Sequence, residues 1–133
     1  VTLVSKDELL ERSDFISMHL LLNEDTRKSI NADFFKKMKK SAIFINTGRG
    51  GLVDEEALIE ALRTGEIAGA GLDVLTAEGI DRDAPLQKFD NVIITPHAAW
   101  YSEEAFNTLL TSAAQEVVRA LHGEPVKNQV NKF

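Results

Sequence analysis

The sequence contains no cysteine, which excludes disulfide bonds, thiolate catalysis and zinc sites built on cysteine. It also lacks both an apolar run of about 18 residues and a charged leader before an apolar stretch, so no membrane span or signal peptide is predicted. The formal net charge of −6 argues against direct nucleic-acid binding, because proteins that bind nucleic acids usually carry a positive surface. We therefore expect a cytoplasmic protein with neither a membrane nor a nucleic acid as partner.

A glycine-rich phosphate-binding loop is also missing from the sequence. The stretch "GRGG" at residues 48–51 comes nearest, but Val53 stands where a G-x-G-x-x-G motif needs its last glycine. No Walker-type lysine loop occurs either. The chain begins at Val1 in what reads as the middle of a fold, and we expect it to be a piece of a longer protein.

The apolar content of 44% over 133 residues is enough for one folded unit. Short apolar runs alternate with segments of helical periodicity, a pattern typical of strands joined by crossover helices. Most of the runs lack polar alternation, which favours parallel strands covered on both faces. An α/β fold with a three-layer parallel sheet is therefore predicted, with strands at residues 1–4, 14–20, 42–46, 67–74 and 91–97.

The helix boundaries are marked by capping residues. Asn31 and Asp54 are predicted N-caps, and Gly65 is a predicted left-handed stop for the helix that follows Asp54. The longest helix is predicted to start near Ser102 and to end before Gly123. We expect two parts, residues 1–101 forming the sheet unit and residues 102–133 forming a long helix and a return segment.

Ligands of open parallel sheets bind beyond the carboxyl ends of the strands, so polar residues at those positions are the candidates. Arg49 offers two parallel N–H donors to a carboxylate or phosphate, although an isolated arginine in a glycine turn is more often a surface residue. His97 is a candidate acid or base, and Glu78 could hold it protonated through a charge-assisted hydrogen bond. Asp73 lies within an apolar strand and needs donors, which a nearby amide or backbone N–H group could supply.

Three stretches together resemble the NAD-dependent D-isomer-specific 2-hydroxyacid dehydrogenases: "INTGRGGLVDEEAL", "AGAGLDVLTAEG" and "NVIITPHAAWYSEEA". The resemblance covers essentially the whole chain, and three motifs in the right order are more specific than any one of them. It implies the second half of a Rossmann-type NAD-binding domain. The glycine-rich loop and the acid that binds the ribose would then precede Val1.

The resemblance also implies roles for individual residues. Arg49 would bind the substrate carboxylate, and His97 with Glu78 would form the acid/base pair. Gly79 stands where the family usually has proline after this glutamate. Trp100 would join Arg49 in the implied substrate pocket. The residues implied to border the cofactor are Leu20, Leu22, Asn23, Thr47, Gly48, Arg49, Asp73, His97, Ala98 and Ala99.

The function implied is an oxidoreductase that transfers a hydride between NAD(H) and a small 2-ketoacid or D-2-hydroxyacid. NAD is the usual cofactor of the family, and NADP stays open because the residues that select between them would lie before Val1. A homodimer is expected, as is common in the family. The isolated chain is expected to be inactive.

An alternative function comes from the stretch "PHAAWYSEEA", which is similar to the C-terminal binding proteins, corepressors built on the same scaffold. A protein of that kind would sense NAD(H) with little turnover.

Overall fold

The structure is a computed structural model that describes residues 1–77 and 84–131. The chain divides into two compact units, Val1–Ala99 and Trp100–Phe133. In the part of the chain that the structure describes, no helix has both the length and the apolar composition needed to span a membrane.

The first unit is a four-stranded sheet in which every neighbouring pair of strands is parallel and the strand order is β1-β2-β3-β4. The predicted α/β class with a parallel sheet is confirmed. The elements of the unit are α1 (Lys6–Arg12), β1 (Phe15–Met18), α2 (Ala32–Lys36), β2 (Ile43–Asn46), a 3-10 turn (Gly50–Leu52), α3 (Glu55–Thr64), β3 (Gly69–Leu72), a second 3-10 turn (Pro85–Lys88) and β4 (Val92–Ile94).

The four strands fall within four of the five predicted runs, and the strand predicted at residues 1–4 is wrong. Residues 1–5 have no regular secondary structure, and the side chains of Val1 and Leu3 are fully exposed. A strand is stabilised by a neighbour that pairs with its backbone groups, and apolar composition alone supplies no such neighbour.

The helix α1 was not predicted, although its signal is present in the sequence. Ser5 is its N-cap and accepts a hydrogen bond from the backbone N–H of Glu8 at 3.2 Å. A serine followed three positions later by glutamate is the signature of a helix start. Leu10 is fully buried and attaches this helix to the core.

The predicted helix ends are largely confirmed. Asn31 caps α2 by accepting from the backbone N–H of Phe34 at 3.2 Å. Gly65 ends α3 with a left-handed φ of 70°, as predicted. Asp54 is in the N-cap position of α3, but its side chain makes no capping hydrogen bond. Acidic residues in the first turn of α3 still suit the positive end of the helix dipole.

The core lies between the sheet and the helices of the first unit. Phe34, Phe35 and Phe44 meet edge to face, with ring centroids 5.4–6.2 Å apart. Ile16 and Met18 point from β1 into this core. Phe15 alternates with them and is exposed, as is Ile93 of β4. The described residues of this unit thus bury one face of the sheet more completely than the other.

The second unit contains α4 (Glu103–Leu121), which starts next to Ser102 as predicted, and Ser102 is its N-cap. The Ser102 hydroxyl accepts from the backbone N–H of Ala105 at 3.1 Å. Beyond the helix, the carboxylate of Glu116 accepts from the backbone N–H of Lys127 at 2.7 Å and so holds the following segment against α4.

Candidate active site

All four strands are parallel, so their carboxyl ends lie along one edge of the sheet. The segments after β2, β3 and β4 carry Arg49, Asp73 and His97, and these three residues line one cavity of about 450 Å³. Its wall also includes apolar groups from Val74, Leu75 and Ile94. The structure therefore brings together a cation, a carboxylate and an imidazole that are far apart in the sequence.

Arg49 lies in a turn that Asn46, the last residue of β2, holds closed. The Asn46 side chain is fully buried. It accepts a hydrogen bond from the Gly48 N–H and donates one to the Arg49 carbonyl, each at 3.0 Å. Sequence reasoning missed Asn46. Its signal was an amide that ends an apolar strand immediately before a glycine turn, where its side chain can bond to nearby backbone groups.

Gly50 lets the Arg49 turn approach the segment after β3. A Cβ atom added at Gly50 would lie 2.0 Å from the Leu75 carbonyl oxygen and 2.5 Å from the Thr76 nitrogen. Only glycine leaves room for this backbone contact. The N–H of Thr76 also donates to the carboxylate of Glu55 in the first turn of α3. The segment after β3 is thereby fixed beside the turn that carries Arg49.

Asp73 follows β3 directly and is 5% exposed. One oxygen of its carboxylate accepts from the Thr95 hydroxyl and, at 2.8 Å, from the Ala98 N–H. The other oxygen accepts from the Ala99 N–H at 2.9 Å. The donors predicted for this carboxylate are therefore present. A carboxylate offers about four acceptor positions, so one remains for a ligand.

The electrostatic environment of Asp73 favours its charged form. Burial acts to raise the pKa of the carboxyl group, but the hydrogen bonds from Thr95, Ala99 and Ala98, with a smaller contribution from the charge of His97, outweigh it. The net result is a pKa below its ordinary value of 3.8. Asp73 is therefore an anion at neutral pH and can only accept hydrogen bonds.

His97 has a left-handed backbone conformation with a φ of 54°. Its N–H donates to the Asp73 carbonyl at 2.9 Å and to the Thr95 carbonyl at 3.0 Å. The left-handed conformation is uncommon outside glycine and costs about 1–2 kcal/mol. The surrounding hydrogen bonds hold this strained conformation, and the exposed imidazole faces the cavity that Arg49 also lines.

Other residues expected to border a cofactor line two further cavities of this unit. Leu20, Leu22 and Gly48 line one of about 410 Å³, and Arg49 belongs to its wall as well as to that of the first. Thr47 and Ala99 line another of about 510 Å³, which shares Asp73 with the first. The first cavity thus shares Arg49 with the second and Asp73 with the third.

Three further candidates do not line these cavities, and a fourth falls outside the described residues. The Asn23 carboxamide accepts from the Thr26 N–H at 2.9 Å and stabilises a turn. The N–H of Ala98 is occupied by Asp73. Glu78 falls outside the described residues, and so does Gly79. Trp100 belongs to the second unit, where its ring packs against Tyr101 with centroids 5.6 Å apart.

The described residues contain no group of three or more histidine or acidic side chains placed to hold a metal ion.

Comparison with known proteins gives one family match. The NAD binding domain of the D-isomer specific 2-hydroxyacid dehydrogenases matches residues 1–99. Among curated relatives, a glyoxylate reductase of Korarchaeum cryptofilum is 43% identical over 132 residues, which is 99% of this chain and 40% of the relative.

Solved structures agree with this match. A D-lactate dehydrogenase from a Sporolactobacillus species superposes with a TM-score of 0.89 at 35% identity, covering 99% of this chain and 44% of that chain. The NAD-complexed form of a D-isomer specific 2-hydroxyacid dehydrogenase from Lactobacillus delbrueckii ssp. bulgaricus superposes with a TM-score of 0.86 at 37% identity. The match covers 97% of this chain and 43% of that chain. The chain thus spans about two fifths of the length of the proteins it matches.

Proposed function

Since this chain belongs to the family of D-isomer-specific 2-hydroxyacid dehydrogenases, we propose that it forms part of an enzyme that interconverts a small 2-ketoacid and its D-2-hydroxyacid with NAD(H). The observation that supports this best is the cavity shared by Arg49, Asp73 and His97 at the carboxyl edge of the sheet. It provides a cation for a carboxylate, an acceptor for an amide and an acid for a developing alkoxide.

The residues of the cavity fit the nicotinamide end of the cofactor. Asp73 is anionic and keeps an acceptor position free, which suits the N–H groups of a carboxamide. Leu20, Leu22 and Gly48 line the neighbouring cavity, which Arg49 also borders. When bound, NADH supplies the hydride that the keto carbon receives.

Arg49 binds the substrate carboxylate in this proposal. A guanidinium donates two parallel hydrogen bonds to a carboxylate, so it fixes the direction of the substrate as well as its charge. The turn holds the backbone of Arg49, so the point from which its side chain extends is fixed. The keto group is thereby oriented towards His97.

His97 delivers the proton. As the keto carbon accepts the hydride, negative charge develops on the keto oxygen, and a protonated imidazole both stabilises that charge and donates its proton. The family motif assigns Glu78 as the partner that keeps the imidazole protonated, and this assignment remains part of the proposal. In the reverse direction the neutral imidazole accepts the hydroxyl proton.

The domain limits remain part of the proposal as well. Residues 1–101 would be the C-terminal part of the NAD-binding domain, and residues 102–133 would lead towards a substrate domain. Thr47, Asn23, Ala98 and Ala99 are proposed to border the cofactor, and Trp100 the substrate. The homodimer, the cytoplasmic location and the use of NAD rather than NADP rest on the resemblance and the sequence expectations.

The proposal is tested with the full-length protein by following NADH oxidation with glyoxylate, pyruvate and hydroxypyruvate. We expect His97→Ala to lower kcat by roughly 10²- to 10⁴-fold, the usual contribution of a general acid. His122→Ala is the matched control, because His122 is an exposed histidine at the end of α4. Its kcat should stay within about twofold of the parent, as for most surface substitutions.

The contrary result would be tight NADH binding without turnover of any of the three ketoacids. That outcome would overturn the proposal that the protein is a dehydrogenase and would favour the NAD(H)-sensing alternative.

A further inference from the structure

The carboxamide of Asn46 is a buried polar group that the proposed chemistry does not use. Asn46 and Asp73 are the fully or nearly fully buried polar residues among those the structure describes. Burying an amide is unfavourable unless its donors and acceptors are bonded. The nitrogen and the oxygen of the Asn46 carboxamide each make one hydrogen bond, and both partners are backbone groups of the turn that carries Arg49.

The hydrogen bonds of Asn46 define the path of the backbone at Arg49. Its oxygen accepts from Gly48 and its nitrogen donates to the Arg49 carbonyl. That carbonyl also accepts from the Leu52 N–H at 3.2 Å, which begins the 3-10 turn. The Arg49 peptide is therefore fixed from both sides, although the Arg49 side chain is exposed.

A second contact prevents the turn from moving sideways. Gly50 packs directly against the backbone of Leu75 and Thr76, with no room for a side chain. The turn can rotate about this contact only if the Asn46 bonds break. The amide is thus one of the contacts that hold the backbone at Arg49, together with the Leu52 N–H and the packing of Gly50.

Asn46 also joins the Arg49 turn to the segment that holds His97. The backbone carbonyl of Asn46 accepts from the Asp73 N–H at 2.9 Å. The backbone carbonyl of Asp73 in turn accepts from the His97 N–H at the same distance. Arg49 and His97 are therefore connected through the backbones of two adjacent strand ends. An error in the position of one turn would change the distance between the two side chains.

We propose that Asn46 is a positioning residue for Arg49, with the buried carboxamide fixing the turn so that the guanidinium meets the substrate carboxylate in line with His97. This rests on the proposed function. Displacement of a reacting group by about 1 Å can cost about 100-fold in rate, so a single lost hydrogen bond in the turn has a large expected effect.

The test compares pyruvate with its neutral methyl ester in the full-length protein. In Asn46→Ala, we expect kcat/KM for pyruvate to fall roughly 100-fold. The ester, which has no carboxylate for Arg49, should lose much less, so the preference for pyruvate over the ester falls. The Kd for NADH should change much less than kcat/KM for pyruvate, because a general loss of structure would impair cofactor binding and turnover alike.

The matched control is Asn91→Ala. Asn91 precedes β4 at the amino end of the parallel strands, and its side chain donates to the Ala68 carbonyl at 2.7 Å. The substitution removes the same chemical group and one backbone hydrogen bond, but away from Arg49. It should leave the preference for pyruvate unchanged.

A double substitution separates positioning from general support of the fold. If Asn46 acts through Arg49, then Asn46→Ala should have little further effect on kcat/KM in an Arg49→Ala background. The inference would be overturned if the losses in kcat/KM of the two single variants multiply in the double variant and Asn46→Ala keeps the preference for pyruvate over the ester. Asn46→Ser provides the same comparison if the alanine variant does not fold, because a hydroxyl can still accept from the Gly48 N–H but lacks the amide N–H that bonds to the Arg49 carbonyl.

The proposed function can fail in a way that is recognisable. If Arg49→Ala itself leaves the pyruvate preference intact, then Arg49 does not bind the carboxylate, and both the assigned role and the inference are overturned. If Arg49→Ala removes the preference and Asn46→Ala does not, only the inference about Asn46 is overturned.

Discussion

Two turns at the carboxyl edge of the sheet are each held by one buried polar side chain, and they are built differently. Asn46 bonds to backbone groups two and three positions further along the chain. Asp73 bonds to groups 22, 25 and 26 positions away, on the segment after β4. The first turn is therefore closed by local sequence, whereas the second exists only once β3 and β4 are paired.

The chemistry of the two anchors differs as well. Asn46 is neutral and both donates and accepts, so its turn is insensitive to pH. Asp73 is an anion and only accepts, so it gathers three donors from the segment that carries His97. The turn that carries Arg49 is thus closed mainly by local contacts, and the one that carries His97 by tertiary contacts.

The largest expected effect on stability comes from removing the buried carboxylate of Asp73. Asp73→Ala leaves three donors without their acceptor, and we expect it to lower the free energy of unfolding by about 3 kcal/mol, because hydrogen bonds to charged groups are the stronger ones. Asn46→Ala, which removes two neutral hydrogen bonds, should cost about 1–2 kcal/mol. Urea denaturation of the chain measures both.

Equal losses in the two variants would contradict the distinction between a charged and a neutral anchor. The slope of the urea transition serves as the control, because an unchanged slope shows that the same surface unfolds in each variant.

A smaller effect is expected from pH, and the Asp73 turn should contribute to it whereas the Asn46 turn should not. The folded chain holds the pKa of Asp73 below its ordinary value of 3.8, so the unfolded chain binds more protons between the two values. The stabilisation is complete above the ordinary pKa and is lost as the pH falls through the folded one. Urea denaturation at a series of acidic pH values should therefore show a steeper loss in the parent than in Asp73→Asn.

Asn46→Ala is the control for this prediction, because it leaves the carboxylate in place and should keep the parent's dependence on pH. A parent and an Asp73→Asn variant that lose stability in parallel would show that the carboxylate contributes nothing in this range.

Local patterns in the sequence were sufficient for most of the fold. Asn31 and Gly65 act where they were expected, because capping and left-handed stops depend on a few neighbouring residues. The prediction at residues 1–4 was wrong because a strand depends on a partner that composition does not reveal. The helix that begins after Ser5 was overlooked despite a recognisable capping pair with Glu8.

The candidate site was predictable only in part. The rule that ligands meet the carboxyl ends of parallel strands correctly brought Arg49, Asp73 and His97 to one cavity. The role of Asn46 was not foreseen, because its partners are backbone groups whose positions appear only when the turn is seen. The same reason hid Thr95, whose hydroxyl reaches Asp73 from the neighbouring strand end.

The smallest effect concerns the left-handed backbone of His97, which lies within the segment that hydrogen-bonds to Asp73. Glycine tolerates a φ of 54° and alanine does not, so His97→Gly should be more stable than His97→Ala by about 1 kcal/mol in urea denaturation. Gly65→Ala is the matched control, because Gly65 has a φ of 70° with open space around it and should lose a similar amount.

The decisive step is to repeat the His97 pair in an Asp73→Ala background. Without the carboxylate the segment after β4 can relax, and the advantage of glycine over alanine should shrink towards zero. An advantage that persists there would mean that pairing of β3 with β4, together with the two carbonyls that accept from the His97 N–H, imposes the left-handed conformation. The Asp73 side chain would then hold the turn in place without being the cause of its strain.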